Sequence, residues 1–166
     1  MPRREGWFKL STHCPWIGMR TAELGGAHDE DCRGIRNPIG VKVGPAMSAE
    51  NVLALCNTLN PENEPGRLTL IHRMGAAKIR LHLPLLVEAV KKSGRQVLWI
   101  CDPMHGNTQA TSNGLKTRSF DDILDEINAA FEIHTACGSR LGGEPLELTA
   151  EHVTGCIRGA AKLAEN

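Results

Sequence analysis

The chain is 166 residues long, enough for one domain with a substantial core. Its 19 basic and 19 acidic residues cancel, which leaves no electrostatic footprint for nucleic acid or an anionic membrane. No apolar run approaches the roughly 18 residues of a membrane span, and Met1-Pro2-Arg3-Arg4-Glu5-Gly6 lacks the apolar stretch of a signal peptide. The six cysteines (14, 32, 56, 101, 137 and 156) include no Cys-x-x-Cys pair. That argues against a zinc ribbon or disulfide scaffold and for a reducing, cytoplasmic setting.

In chain order, Gly6 to Leu10 is predicted as a short strand. Trp16, Gly18 and Arg20 follow closely: either an anion pocket, or a buried Trp beside a solvated Arg. Ala22 to Ile35 reads as a weak helix interrupted at Gly25-Gly26. Ile39, Val41 and Val43 form the next strand, with Lys42 inside it. A lysine there is costly to bury unpaired, so it meets an anionic ligand or faces solvent. Ser48 is a good N-cap for a helix running to about Leu59. After a polar loop with two prolines, Arg67 to Gly75 is a third strand ending in Arg73 and a glycine. A helix spans Ala76 to Lys92, with Pro84 as a restart or kink and Ser93-Gly94 as its end.

Val97 to Cys101 is a short apolar run that suits a strand buried on both faces of a parallel sheet. Asp102-Pro103 breaks it, and polar groups crowd the exit: Asp102, His105, Asn107 and Thr108. In parallel α/β proteins ligand chemistry sits at the carboxyl ends of strands, so His105 is placed for metal or proton chemistry, or is simply a loop residue. Thr108 to Ser119 is predicted as a polar loop whose Lys116-Thr117-Arg118 binds an anion or is solvated. Phe120 to Cys137 is an amphipathic helix with Ile123, Ile127, Ala130 and Phe131 on one face. A glycine-rich turn covers Gly138 to Gly143, and Pro145 to Thr149 is a last strand. Glu147 there is an oxygen ligand, a general base or a solvent-facing residue. Glu151 to Leu163 is a final helix. Strands alternate with helices, as right-handed βαβ units around a parallel sheet require. Lys42, Arg73, His105 and Glu147 together suit a metal plus a phosphorylated or carboxylated substrate.

With these residues assembled, the chain resembles the type II 3-deoxy-D-arabino-heptulosonate 7-phosphate (DAHP) synthases from about residue 10 to 158. The motifs are Trp16-Ile17-Gly18-Met19-Arg20-Thr21, Gly40-Val41-Lys42-Val43-Gly44-Pro45, Pro65-Gly66-Arg67-Leu68-Thr69-Leu70 and Arg73-Met74-Gly75. Cys101 to Thr108, Lys116-Thr117-Arg118 and Leu146-Glu147-Leu148-Thr149 complete the set, in the family's order. The resemblance implies a (β/α)₈ TIM barrel that condenses phosphoenolpyruvate with erythrose 4-phosphate and releases phosphate, the first step of the shikimate pathway to chorismate and aromatic amino acids. It implies a divalent metal, with manganese or cobalt ahead of zinc or iron, held in part by His105 and Glu147. Arg20, Lys42 and Arg73 match residues that hold phosphoenolpyruvate, with Met19 beside them, and Lys42 and His105 are the catalytic pair. Asp102, Lys116 and Arg118 look like a sugar-phosphate loop.

Three departures from the family follow. Met19 stands where the family has glutamate. The family's cysteine and aspartate metal ligands belong to segments expected before and after this chain. About five strands are present, where a closed barrel needs eight and typically about 250 residues. The expectation is a partial barrel: a single domain over residues 1–166 that is the C-terminal half of a synthase, assembling with itself or with a missing N-terminal half. The alternative is a catalytically degraded copy that binds or regulates a full-length synthase.

Overall fold

The computed structural model describes residues 6–110 and 116–145. In these residues a five-stranded parallel sheet is built from β1 (Trp16–Ile17), β2 (Ile39–Val43), β3 (Leu68–His72), β4 (Leu98–Cys101) and β7 (Leu141–Gly143), in that spatial order. The helices between them are α1 (Ala27–Arg33), α2 (Ala49–Leu59), α3 (Ala76–Lys92), the single turn α4 (Pro103–Gly106) and α5 (Phe120–Ala136). This is an α/β fold consistent with part of a TIM barrel. No helix among the described residues is long and apolar enough to cross a membrane.

Local chemistry accounts for the elements. Ser48 and Ser119 accept hydrogen bonds from Asn51 N and Asp122 N, capping α2 and α5. Asp121 and Asp122 suit the positive end of α5, and Lys91 and Lys92 the negative end of α3. Pro84 does not divide α3, which runs unbroken through it. Strand side chains alternate between the two faces. Ile39, Val41, Val43, Leu68, Leu70, Trp99 and Cys101 pack under α2, α3 and α5 as the core. On the opposite face Leu98 is 45% exposed.

Several predicted elements differ. Gly6 to Leu10 is not a strand. Asn37 holds Lys9 through both its N–H and its carbonyl, and Trp7 O accepts from Arg36 N, so this backbone is paired outside any ladder. Trp7 and Leu10 are exposed and offer no face to bury. The first strand is instead Trp16–Ile17, parallel to β2 with Trp16 opposite Gly40. A Cβ on Gly40 would lie 2.9 Å from Trp16 Cβ, so that approach requires glycine. The predicted loop at 108–119 is a hairpin, β5 (Thr108–Ala110) antiparallel to β6 (Lys116–Arg118). The predicted glycine-rich turn ends as strand β7, and the strand expected at 145–149 lies, apart from Pro145, outside the described residues. In α5 the buried face carries Ile123, Glu126, Ala129, Ala130 and Ile133, while Phe131 is exposed. The segment containing Glu147 and the final predicted helix lies outside the described residues.

Candidate active site

The sheet ladder continues one residue past its strands. Arg73 N donates to Val43 O at 2.9 Å, and Asp102 N donates to His72 O at 2.7 Å. The carboxyl ends of β2, β3 and β4 are therefore held in one row, and the functional side chains leave from that row. Lys42 comes from β2, Arg73 from just after β3, and His105 from α4 after β4. After β1, a single 3₁₀ turn (Met19–Thr21) supplies Met19 and Arg20.

These groups surround one cavity of about 730 Å³. Its lining includes Met19, Arg20, Lys42, Arg73, His105, Lys116 and Arg118, which brings together the predicted cations and the predicted metal-ligating histidine. Five of the lining side chains are Lys or Arg, and none is acidic. Concentrated positive charge without acids is the signature of a pocket for a phosphate or carboxylate. Lys116 and Arg118 reach it because the hairpin folds back over α4: Arg118 Nε donates to Met104 O at 2.6 Å.

Asp102 is not on that hairpin. It is 1% exposed, beneath the cavity, as the N-cap of α4. Its carboxylate pairs with Lys42 Nζ and accepts from His105 N at 3.1 Å. His105 Nδ1 lies 3.1 and 3.0 Å from its two oxygens. Burial pushes the Asp102 carboxyl up, but the hydrogen bonds from Lys42 and His105 outweigh it and hold the group below the usual carboxylate range. Arg73 donates to the carbonyl of His105. Met19 lies against Gly44, where a Cβ would stand 2.1 Å from the thioether sulfur, so Gly44 makes the room that Met19 fills.

A second cluster escaped the sequence reading. Glu126 of α5 accepts from Met74 N at 2.8 Å, Gly75 N at 3.0 Å and Asn107 Nδ2 at 2.7 Å. Asn107 also accepts from Ala76 N at 2.9 Å. One buried acid thus ties the turn that carries Arg73 to the turn that carries His105. A Cβ on Gly106 would meet Glu126 Oε2 at 2.6 Å, so the turn can approach only as glycine. The available signal was an acid on the buried face of an amphipathic helix.

His72, Cys101 and Glu126 bring donor atoms within 4.8 Å of one another, a set with the chemistry to hold a metal. It lies on the helix face of the sheet, fully buried, away from the cavity. The His72 ring packs against Trp99 and His134 at centroid distances of 6.3 and 5.8 Å. Burial pushes His72 down to about 3 and His134 to about 4, and pushes the Cys101 thiol and Glu126 up.

The chain is 52% identical over 156 residues to a phospho-2-dehydro-3-deoxyheptonate aldolase of Streptomyces coelicolor, covering 94% of this chain and 35% of that protein. A Mycolicibacterium smegmatis protein of the same description is 49% identical over 159 residues, covering 96% and 34%. One from Neurospora crassa is 47% identical over 167 residues, covering 99% and 35%. The chain therefore spans about a third of the length of these curated relatives. The sequence profile of the Class-II DAHP synthetase family matches residues 1–166, and this chain belongs to that family.

Proposed function

We propose that this chain supplies the phosphoenolpyruvate-binding and part of the metal-binding machinery of a DAHP synthase, working in the cytoplasm. The observation that carries the reading is the cavity at the carboxyl ends of consecutive parallel strands, lined by Arg20, Lys42 and Arg73 from those ends and by Lys116 and Arg118 from the hairpin. Phosphoenolpyruvate bears a phosphate and a carboxylate, and fixed cations hold both with little loss of side-chain freedom on binding. In this assignment Arg20, Lys42 and Arg73 hold phosphoenolpyruvate, and Lys116 and Arg118 receive the phosphate of erythrose 4-phosphate. The reaction joins the methylene carbon of one to the aldehyde carbon of the other, whose oxygen takes up a proton, while water adds at the phosphate-bearing carbon and phosphate leaves to give the ketone. Holding the two together removes much of the entropic cost of a two-substrate step.

His105, an imidazole in the cavity wall, fits a divalent metal by its chemistry, with Glu147 as its partner ligand. Manganese or cobalt is the first choice, and mixed ligation also admits zinc or iron. Such an ion would supply Lewis-acid polarisation of the aldehyde oxygen. The rest of the barrel would come from an N-terminal portion or from another copy of the chain.

The test is phosphoenolpyruvate consumption by the purified chain with erythrose 4-phosphate and manganese present, then with each omitted. Loss that needs all three supports a self-completing synthase. No loss, restored by a separately made N-terminal portion, supports a split one. Lys42→Ala and Arg73→Ala should weaken phosphoenolpyruvate binding about 10- to 100-fold, the worth of one hydrogen bond to a charged group. Calorimetric titration measures this, and an effect confined to the sugar phosphate would reverse the two subsites. Met19 favours a second reading: a thioether occupies the place of the family's glutamate beside Arg20, as in a copy that binds without turning over. Co-purification with a full-length synthase, without turnover of its own, identifies that case.

A further inference from the structure

We propose that Asp102 is the positioning residue of this site: its carboxylate fixes the His105 imidazole as the tautomer protonated at Nδ1 and, through Oδ2, which Nδ1 also faces, holds the Lys42 ammonium beside the ring. The inference rests on the reading of His105 as a metal ligand only for its consequence, not for the geometry.

Asp102 is itself immobile. Its N–H is taken by His72 O at 2.7 Å, so its backbone belongs to the sheet ladder, and Pro103 fixes the first residue of the turn that follows. Its side chain is almost fully buried and receives three donors: Lys42 Nζ, His105 N and His105 Nδ1. A carboxylate facing an ammonium and a backbone N–H is an acceptor only, so the ring nitrogen beside it must be a donor. In the neutral imidazole the lone pair then belongs to Nε2. His105 is gripped from both sides, its N–H and Nδ1 by Asp102 and its carbonyl by Arg73. Ring orientation, tautomer and the position of Lys42 therefore depend on one carboxylate. For a metal ligand this is the outer partner that orients the ring and raises its basicity. The same carboxylate offsets the cost of burying Lys42 within an otherwise apolar strand.

The test reads the ring directly. In the ¹⁵N-labelled full chain at a pH where imidazole is neutral, long-range nitrogen–proton correlation reports which ring nitrogen of His105 carries the proton. The proposal expects Nδ1–H. A wild-type ring protonated at Nε2 overturns it, with no variant needed. Asp102→Ala should move the population to Nε2–H and weaken cobalt(II) binding about 10- to 100-fold. Lys42→Met, which keeps the Asp102–His105 pair, should leave the tautomer as in wild type. An Asp102→Ala chain that remains Nδ1–H, or binds cobalt as the wild type does, overturns the assignment. A wild-type chain that takes up no cobalt defeats the reading of His105 as a metal ligand, and the ring measurement still decides the role of Asp102.

Discussion

Glu126 never touches the cavity, yet it holds two of the turns that form it. Removing its carboxylate strands two buried donors, Met74 N and Gly75 N, and takes one of the two acceptors of Asn107 Nδ2, which keeps Pro103 O. Each stranded donor costs roughly 1–3 kcal/mol, so Glu126→Ala should destabilise the chain by more than about 2 kcal/mol in urea unfolding. Glu126→Gln keeps an acceptor for the two backbone groups but presents a donor to Asn107, and should cost less. Equal losses in the two variants would show that the carboxylate is not the tie between the turns. The contrast with Lys42 shows what sequence can reveal at this scale. A lysine inside an apolar strand violates a local pattern and attracts notice. Glu126 breaks the apolar face of its helix only weakly, as one acid among several in α5, and its backbone partners lie 51 and 52 residues away in the chain. Asp102 was visible as a polar residue at a strand exit, but its place beneath the cavity depends on a contact with Lys42 across 60 residues.

Where α5 crosses β3 and β4, the layer between them contains two histidines that burial keeps neutral, near 3 for His72 and near 4 for His134. Unfolded, both titrate near 6.5. Below that value the unfolded chain binds protons the folded chain refuses, so stability is complete above about pH 6.5 and declines as pH falls towards 4. Chemical denaturation at several pH values should show the decline beginning well above the carboxylate range. His134→Phe should weaken that dependence, and a flat profile from pH 7 to 5 would contradict the buried neutral pair. The elements themselves were legible wherever the pattern was strong. The central strands, α2, α3 and α5 follow from short apolar runs, serine caps and helical periodicity. The first strand was missed because two residues carry no period, and its pairing depends on a glycine 24 positions later in the chain, Gly40. The β5–β6 hairpin was missed because five of its six strand residues are polar, which sequence reads as a loop.

At the scale of the molecule, helices cover one face of the sheet among the described residues. The other carries half-exposed Leu98, and β1 and β7 have no further strand beside them among the described residues. Bare sheet edges and apolar surface favour association. The chain alone should self-associate in sedimentation and bind an apolar dye, and Leu98→Glu should reduce both with little change in melting temperature. A monomer that binds no dye would show that the face is covered from within the chain. The partial-barrel architecture was legible because the family's motifs recur in order at strand ends.

The row of backbone bonds from Val43 through Arg73, and from His72 through Asp102, has a kinetic consequence. The amides of Arg73 and Asp102 are rungs of the ladder, although both residues lie beyond the strands proper. Their exchange with deuterated solvent should be as slow as that of the central strands. An exchange map would then find no frontier between scaffold and pocket: an arriving anion would meet charges already set, and ordering them would add little to the cost of binding.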